Sequence, residues 1–218
     1  MKKLICGVGI NDADYKITKK ENGRIIWKCK YYNRWENLLN RVYNSKYHLR
    51  RPTYDGCTVC DEWLTFSNFK SWMEQQDWQG KQLDKDLLSK DKTCKTYSPE
   101  TCLFVSNSVN SFILNKNSSG YMGGVKWSEY SKCYTSYCSN PITKKNICLG
   151  YYSDELIAHL TWKLYKISLI EDICLQGNDT DKVKDALYHF YSVTEKEQEY
   201  YNDFYESSRI KRRYGVCK

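Results

Sequence analysis

KQLDKDLLSKDKTCKTYSPETCLFVSNSVNSFIL, residues 81–114, decides the fold. A short strand opens it around LDKD, a polar and charged loop follows, and the compact apolar run from Cys102 to Val105 predicts a second strand. A helix is expected from about Ser106. The order is therefore β-loop-β-α, which places the chain in the α+β class.

Toward the N-terminus, the apolar positions Trp35, Leu38, Leu39, Val42 and Tyr43 fall at helical spacing, leaving Arg34 and Arg41 for solvent or phosphate. Before that helix, RIIWKCKYY from Arg24 to Tyr32 is β-branched and aromatic and predicts a strand, preceded by the turn-rich GVGINDADY. After the Pro/Gly loop RRPTYDG, the residues Trp63, Phe66, Phe69, Trp72 and Met73 recur every three or four positions. They predict an amphipathic helix beginning near Trp63, with the aromatic stripe as core.

Toward the C-terminus, NKNSSG at Asn115–Gly120 marks a domain boundary by composition. Three strand-like runs follow, YMGGVKWSE, KCYTSYCSN and NICLGYYS, separated by turn signals and expected to form an antiparallel meander. One helix packs on that sheet through Leu156, Ile157, Leu160, Leu164 and Ile167, with Ser153 as its N-cap. Helical stretches near Lys182–Tyr191 and Glu195–Ser207 complete an acidic, Tyr-rich tail. The expected segments are 1–30, a strand and turn region; 31–116, a ββα module; 117–168, the sheet with its helix; and 169–218, the helical tail.

Charge points to the partner. The 218 residues hold 34 Lys and Arg against 26 Asp and Glu, a surplus of +8 that favours a polyanion such as double-stranded DNA. Residues 1–168 carry +10 and residues 169–218 carry −2, so the tail is not the expected phosphate surface and is a candidate for a protein partner instead. The closing Lys211, Arg212 and Arg213 read either as a solvated basic end or as a phosphate contact. Eleven irregularly spaced cysteines and a start without a signal-peptide core predict reduced thiols. No stretch is long and apolar enough to span a bilayer, so a soluble protein of the cytoplasm is expected, with no membrane partner.

In order, VCDEWLTFSNF, LDKDLL and YSPETCLFVSNSVN resemble the phage HNH-type homing endonucleases, over roughly Trp35 to Lys116. The resemblance implies a ββα-metal module that hydrolyses DNA phosphodiesters with Mg or Mn in a bacterial host cell. It places Asp84 and Asn110 as ligands of the divalent ion. The family's general base, a histidine, falls on Lys85, which is protonated at neutral pH unless strongly buried. His48, His159 and His189 are the chain's three imidazoles, and only His48 lies near the module in sequence. Asp86 is a further ligand or a salt-bridge partner. Two readings stay open: an active nuclease, or an inactive DNA-binding regulator or inhibitor of host machinery on the same scaffold.

Cys57 and Cys60 have knuckle spacing, and Cys94 with Cys102 would complete four thiolates for a structural zinc; packing of small buried thiols is the alternative. From Gly120 to Lys166, Tyr121, GVKW at 124–127, CYTSYC and LGYY resemble the ethylene-response-factor (ERF) type DNA-binding domain. This implies a sheet face laid in a major groove. The expected strand alternation turns Val125, Thr135, Tyr137 and Leu149 toward the helix. The expected DNA-contacting set is then Lys126, Ser128, Tyr134, Ser136 and Asn146, joined by Trp127.

Overall fold

The computed structural model describes residues 4–88, 95–113 and 120–213. It is a mixed α+β chain that divides into two compact units, Met1–Val105 and Ser106–Lys218. The linker expected at 115–120 lies almost wholly outside the described residues.

In the first unit, β1 (Thr18–Glu21) and β2 (Arg24–Lys28) pair as an antiparallel hairpin. Its turn is Asn22-Gly23, with φ of 48° and 76°, the left-handed pair that a two-residue hairpin loop requires. The expected strand at Arg24–Tyr32 is therefore too long. Tyr31 and Tyr32 belong to α1 (Lys30–Tyr43), because Tyr32 lies three residues before Trp35 and extends the buried stripe of Trp35, Leu38, Leu39 and Val42 by one turn.

α2 (Ser45–Arg50) is capped by Asn44, whose side chain accepts the Lys46 amide. A 3₁₀ turn from Asp61 to Leu64 leads into α3 (Phe66–Glu74), the helix expected near Trp63. α1 and α3 meet through aromatic rings: Phe66 lies 5.3 Å from Tyr32 and 5.6 Å from Trp35, centroid to centroid. The Trp35 indole donates to the Trp63 carbonyl at 2.7 Å, so neither polar group is left unsatisfied in the core. Burial of each such ring contributes about 2–3 kcal/mol. Gly9 of the N-terminal segment packs on this core, and a Cβ there would stand 2.3 Å from Leu39 Cδ1.

Around the core lie two further strand pairs. β3 (Thr58–Val59) pairs in parallel with β5 (Thr96–Tyr97), and β4 (Gln82–Asp84) pairs antiparallel with β6 (Leu103–Val105), Asp84 facing Leu103. The stretch 81–114 thus forms the two expected strands, β4 and β6, but the segment expected as a loop between them also holds β5, which pairs outside the stretch with β3.

The second unit begins with α4 (Asn107–Ile113), started by Ser106, whose hydroxyl accepts the Val109 amide at 3.1 Å. The meander follows as β7 (Val125–Ser128), β8 (Cys133–Asn140) and β9 (Lys145–Tyr152), in that spatial order and all antiparallel. α5 (Glu155–Ser168) packs on it, with Ile157, Ala158, Leu160 and Trp162 buried. Its N-cap is Asp154, which accepts the Ile157 amide at 2.9 Å, not Ser153. The apolar run read as one helix breaks at Leu169 into α5 and α6 (Ile170–Gly177). α6 packs on α4 and on α7 (Asp181–Phe190), and α8 (Glu195–Arg213) packs on α5. Among the described tyrosines of the tail, Tyr191 is buried, Tyr200 donates to Asp154, and Tyr205 donates to Tyr152. Among the described residues no helix is long and apolar enough to cross a membrane.

Candidate nucleic-acid interface

Asp84 closes β4 in the first unit. Its Oδ1 accepts the amides of Asp86 and Leu87 at 3.0 and 2.8 Å, an Asx turn that fixes the chain as it leaves the strand. Burial raises its carboxyl above the usual range, the Leu87 amide works the other way, and the neighbouring Asp86 charge raises it again.

Lys85, at the position where the resemblance requires a base, donates to Asp86 and stands 5.9 Å from the Tyr97 ring centroid. Burial alone would lower its pKa, but the Asp86 carboxylate outweighs burial and the net direction is upward. Lys85 is thus an ammonium at neutral pH and accepts no proton. His48 is held locally, its Nε2 3.0 Å from the Arg41 carbonyl and its Nδ1 3.8 Å from Asp55. In the second unit, His159 hydrogen-bonds the Gly123 carbonyl at 2.8 Å, stacks on Trp162, and is drawn down by burial. Asn110, on α4, belongs to the second unit and lies half-buried.

Cys57 and Cys102 are buried in the core of the first unit and Cys60 packs against it. Burial pushes the Cys60 thiol to about 11 and the Cys102 thiol to about 12. Cys94 lies outside the described residues. Among the described residues no three His, Cys, Asp or Glu side chains gather as a metal-binding group.

The three-stranded sheet offers a more complete surface. The register pairs Val125 with Ser136, Trp127 with Tyr134, and Cys138 with Ile147. Val125, Ser136 and Cys138 are buried on the α5 side, and Asn140 on the same side donates to the Tyr165 hydroxyl at 3.0 Å. By alternation Trp127 and Tyr134 share that side, their rings 4.8 Å apart.

The expected orientation is therefore reversed on β8. Ser136, assigned outward, is fully buried, and its hydroxyl has no hydrogen-bond partner among the described residues. Thr135 and Tyr137, assigned inward, lie on the open side. On β9 a bulge at Leu149 removes that residue from the alternation, and Gly150 at φ 144° lets the strand bend there. Lys126, Ser128 and Asn146 keep the expected open side, Ser128 also accepting the Ser131 amide at 3.2 Å.

The open face thus comprises Lys126 and Ser128 on β7, Thr135, Tyr137 and Ser139 on β8, and Asn146, Cys148 and Tyr151 on β9. Lys126 Nζ sits 4.4 Å from the Tyr137 ring centroid, a cation held over the central strand. No carboxylate stands in this set. Hydroxyls, an amide, a thiol and one ammonium present donors and acceptors across three strands, the chemistry that phosphates and base edges require. Thr135 and Tyr137 lie opposite to their expected side, with Tyr151 beside them, because alternation gives two sets of residues and does not say which set the helix covers.

Compared with protein-family models, with curated proteins and with solved structures, the chain matches none.

Proposed function

We propose that the chain is a double-stranded-DNA-binding protein that lays the open face of β7–β9 in the major groove. The observation that carries this reading is a sheet face free of acidic side chains, with Lys126 over Tyr137 at its centre and α5 bracing its back, in a chain of net charge +8. Phosphate contacts fix the register, while Asn146, Thr135 and Tyr137 reach base edges.

Cys148 provides the test, since its thiol is exposed on that face. Saturating duplex DNA is expected to slow its alkylation, read by mass spectrometry, severalfold. An unchanged rate with DNA bound would exclude this face as the interface.

A second reading is phosphodiester hydrolysis by an HNH-like centre with Mg or Mn. It is favoured by the antiparallel β4–β6 pair with Asp84 at its edge, followed in sequence by the helix that carries Asn110. It lacks a base at Lys85. Nicking of supercoiled plasmid that requires Mg or Mn and disappears in both Asp84→Ala and Asn110→Ala would establish it; nicking that survives both would come from a contaminant.

A further inference from the structure

The first unit has two basic stretches, a smaller one from Arg41 to Arg51 and a larger one that leads into α1. Between Lys16 and Arg34 there are seven basic residues and one acidic residue, giving +6, which equals the net charge of the whole unit Met1–Val105. This segment comprises the β1–β2 hairpin and the first turn of α1. On β2, Ile25, Ile26 and Trp27 are 55%, 54% and 44% exposed, so the strand has open sides where a buried core strand would have none. A bulge at Ile26 separates the pairing of Lys19 with Trp27 from that of Lys20 with Ile25. Lys19 Nζ stands 5.8 Å from the Trp27 ring.

At the hairpin's base a groove is lined by Lys28, Lys30, Asn33, Arg34 and Trp78. Arg34 is braced there by donating to the Lys81 carbonyl at 2.7 Å, a contact that orients the guanidinium without neutralising it. Lys28 is paired with Glu36. Among the described residues Lys19, Lys20, Arg24 and Lys30 take part in none of the ion pairs.

We infer that the β1–β2 hairpin is a second DNA-contacting element, a two-stranded ribbon that enters a groove of the duplex. Lys19, Lys20 and Arg24 would rest on the phosphates, and Ile25, Ile26 and Trp27 against sugars and base edges. Three features on the same ribbon carry this. Its charge complements a polyanion, its apolar residues are open and flanked by cations, and a β-ribbon has the width that the major groove admits. The inference rests on the reading of the chain as a duplex-DNA binder and adds a surface in the other unit.

The experiment is fluorescence anisotropy of a labelled duplex with the full chain across a salt series. The triple substitution Lys19→Gln, Lys20→Gln, Arg24→Gln is expected to weaken binding about tenfold and to lower the slope of log affinity against log salt by about 2–3, about one per lost phosphate contact. Trp27→Ala is expected to weaken binding with the slope unchanged, because no counterion is released by an apolar contact. A charge-matched control in the tail, Lys182→Gln, Lys184→Gln, Lys196→Gln, is expected to leave both quantities near those of the wild type.

Binding by the hairpin triple variant that equals the wild type in affinity and slope would overturn the inference and leave the sheet-face reading standing. Absence of duplex binding by the wild type would overturn both. If the triple variant instead lost binding to phosphatidylserine-containing vesicles while duplex binding was unaffected, the ribbon would be a membrane-surface element and the inference would fall.

Discussion

Replacing Lys166 by Met should stabilise the second unit at neutral pH. Lys166 is 6% exposed on the sheet-facing side of α5. Its Nζ donates to the Phe112 carbonyl at 2.7 Å and lies 3.9, 5.4 and 5.6 Å from the ring centroids of Phe112, Trp162 and Tyr191. Burial lowers its pKa from 10.5 to about 8. A fall of that size corresponds to about 3 kcal/mol in favour of the neutral amine, against which the ring faces and the carbonyl return about 1–2 kcal/mol. Methionine keeps the length and apolar volume of the stem, and the Phe112 carbonyl retains the Tyr191 hydroxyl at 3.0 Å. The expected gain at pH 7 is about 1–2 kcal/mol.

Its pH dependence has a definite sign. Below pH 8 both folded and unfolded lysine are charged, and the folded state bears the whole desolvation cost. Between about 8 and 10.5 the folded amine has lost its proton while the unfolded one keeps it, so wild-type stability rises with pH and the Met variant's advantage shrinks. Urea unfolding at pH 7, 8, 9 and 10, with exchange protection of the α5 amides as the local readout, measures this. A Met variant less stable than the wild type at pH 7, or a difference that stays flat to pH 10, would refute the reasoning.

Gly124 has φ +75° and a Cβ built there would stand 2.2 Å from Trp162, so Gly124→Ala should cost about 2–4 kcal/mol and lower the thermal midpoint of the second unit. Asp84→Asn keeps the Oδ1 acceptor for the Asp86 and Leu87 amides and should be nearly neutral to stability, whereas Asp84→Ala loses both bonds and should cost about 1–3 kcal/mol in urea titrations. With its thiol pushed up to about 12 and buried, Cys102 should resist iodoacetamide at pH 8 for as long as the chain is folded, while exposed Cys148 reacts at once. Mass spectrometry of a labelling time course distinguishes the two.

What the sequence made legible follows from how strongly each segment is patterned. The stripe from Trp35 to Val42 and the run Cys102–Val105 are bounded by polar residues and have one plausible period, and both appear where expected. Tyr31 and Tyr32 favour strands locally, yet the helical register of Trp35 recruits Tyr32 to the core, so packing overrides propensity. The hairpin before α1 carries its own sequence signal in Asn22-Gly23, the pair that a two-residue hairpin turn favours. On the sheet, alternation leaves two faces to choose between, and the expected choice puts Ser136 outward. Ser136 is instead the small residue that lies fully buried beneath α5, and this placement inverts the whole central strand. The bulge at Leu149 has no sequence mark beyond Gly150. At the candidate centre, Asp84 was found by motif, but its use as a turn acceptor and the engagement of Lys85 by Asp86 depend on backbone geometry that no spacing encodes.

The most direct test of duplex binding through the open sheet face is the salt dependence of affinity for wild type and for Lys126→Gln combined with Tyr137→Ala, measured on one labelled duplex. Wild-type affinity falling steeply with salt, and a double variant that binds more weakly with a slope shallower by about one, is the result the account predicts. Wild-type binding that is undetectable at low salt, or a double variant indistinguishable from wild type, would contradict it.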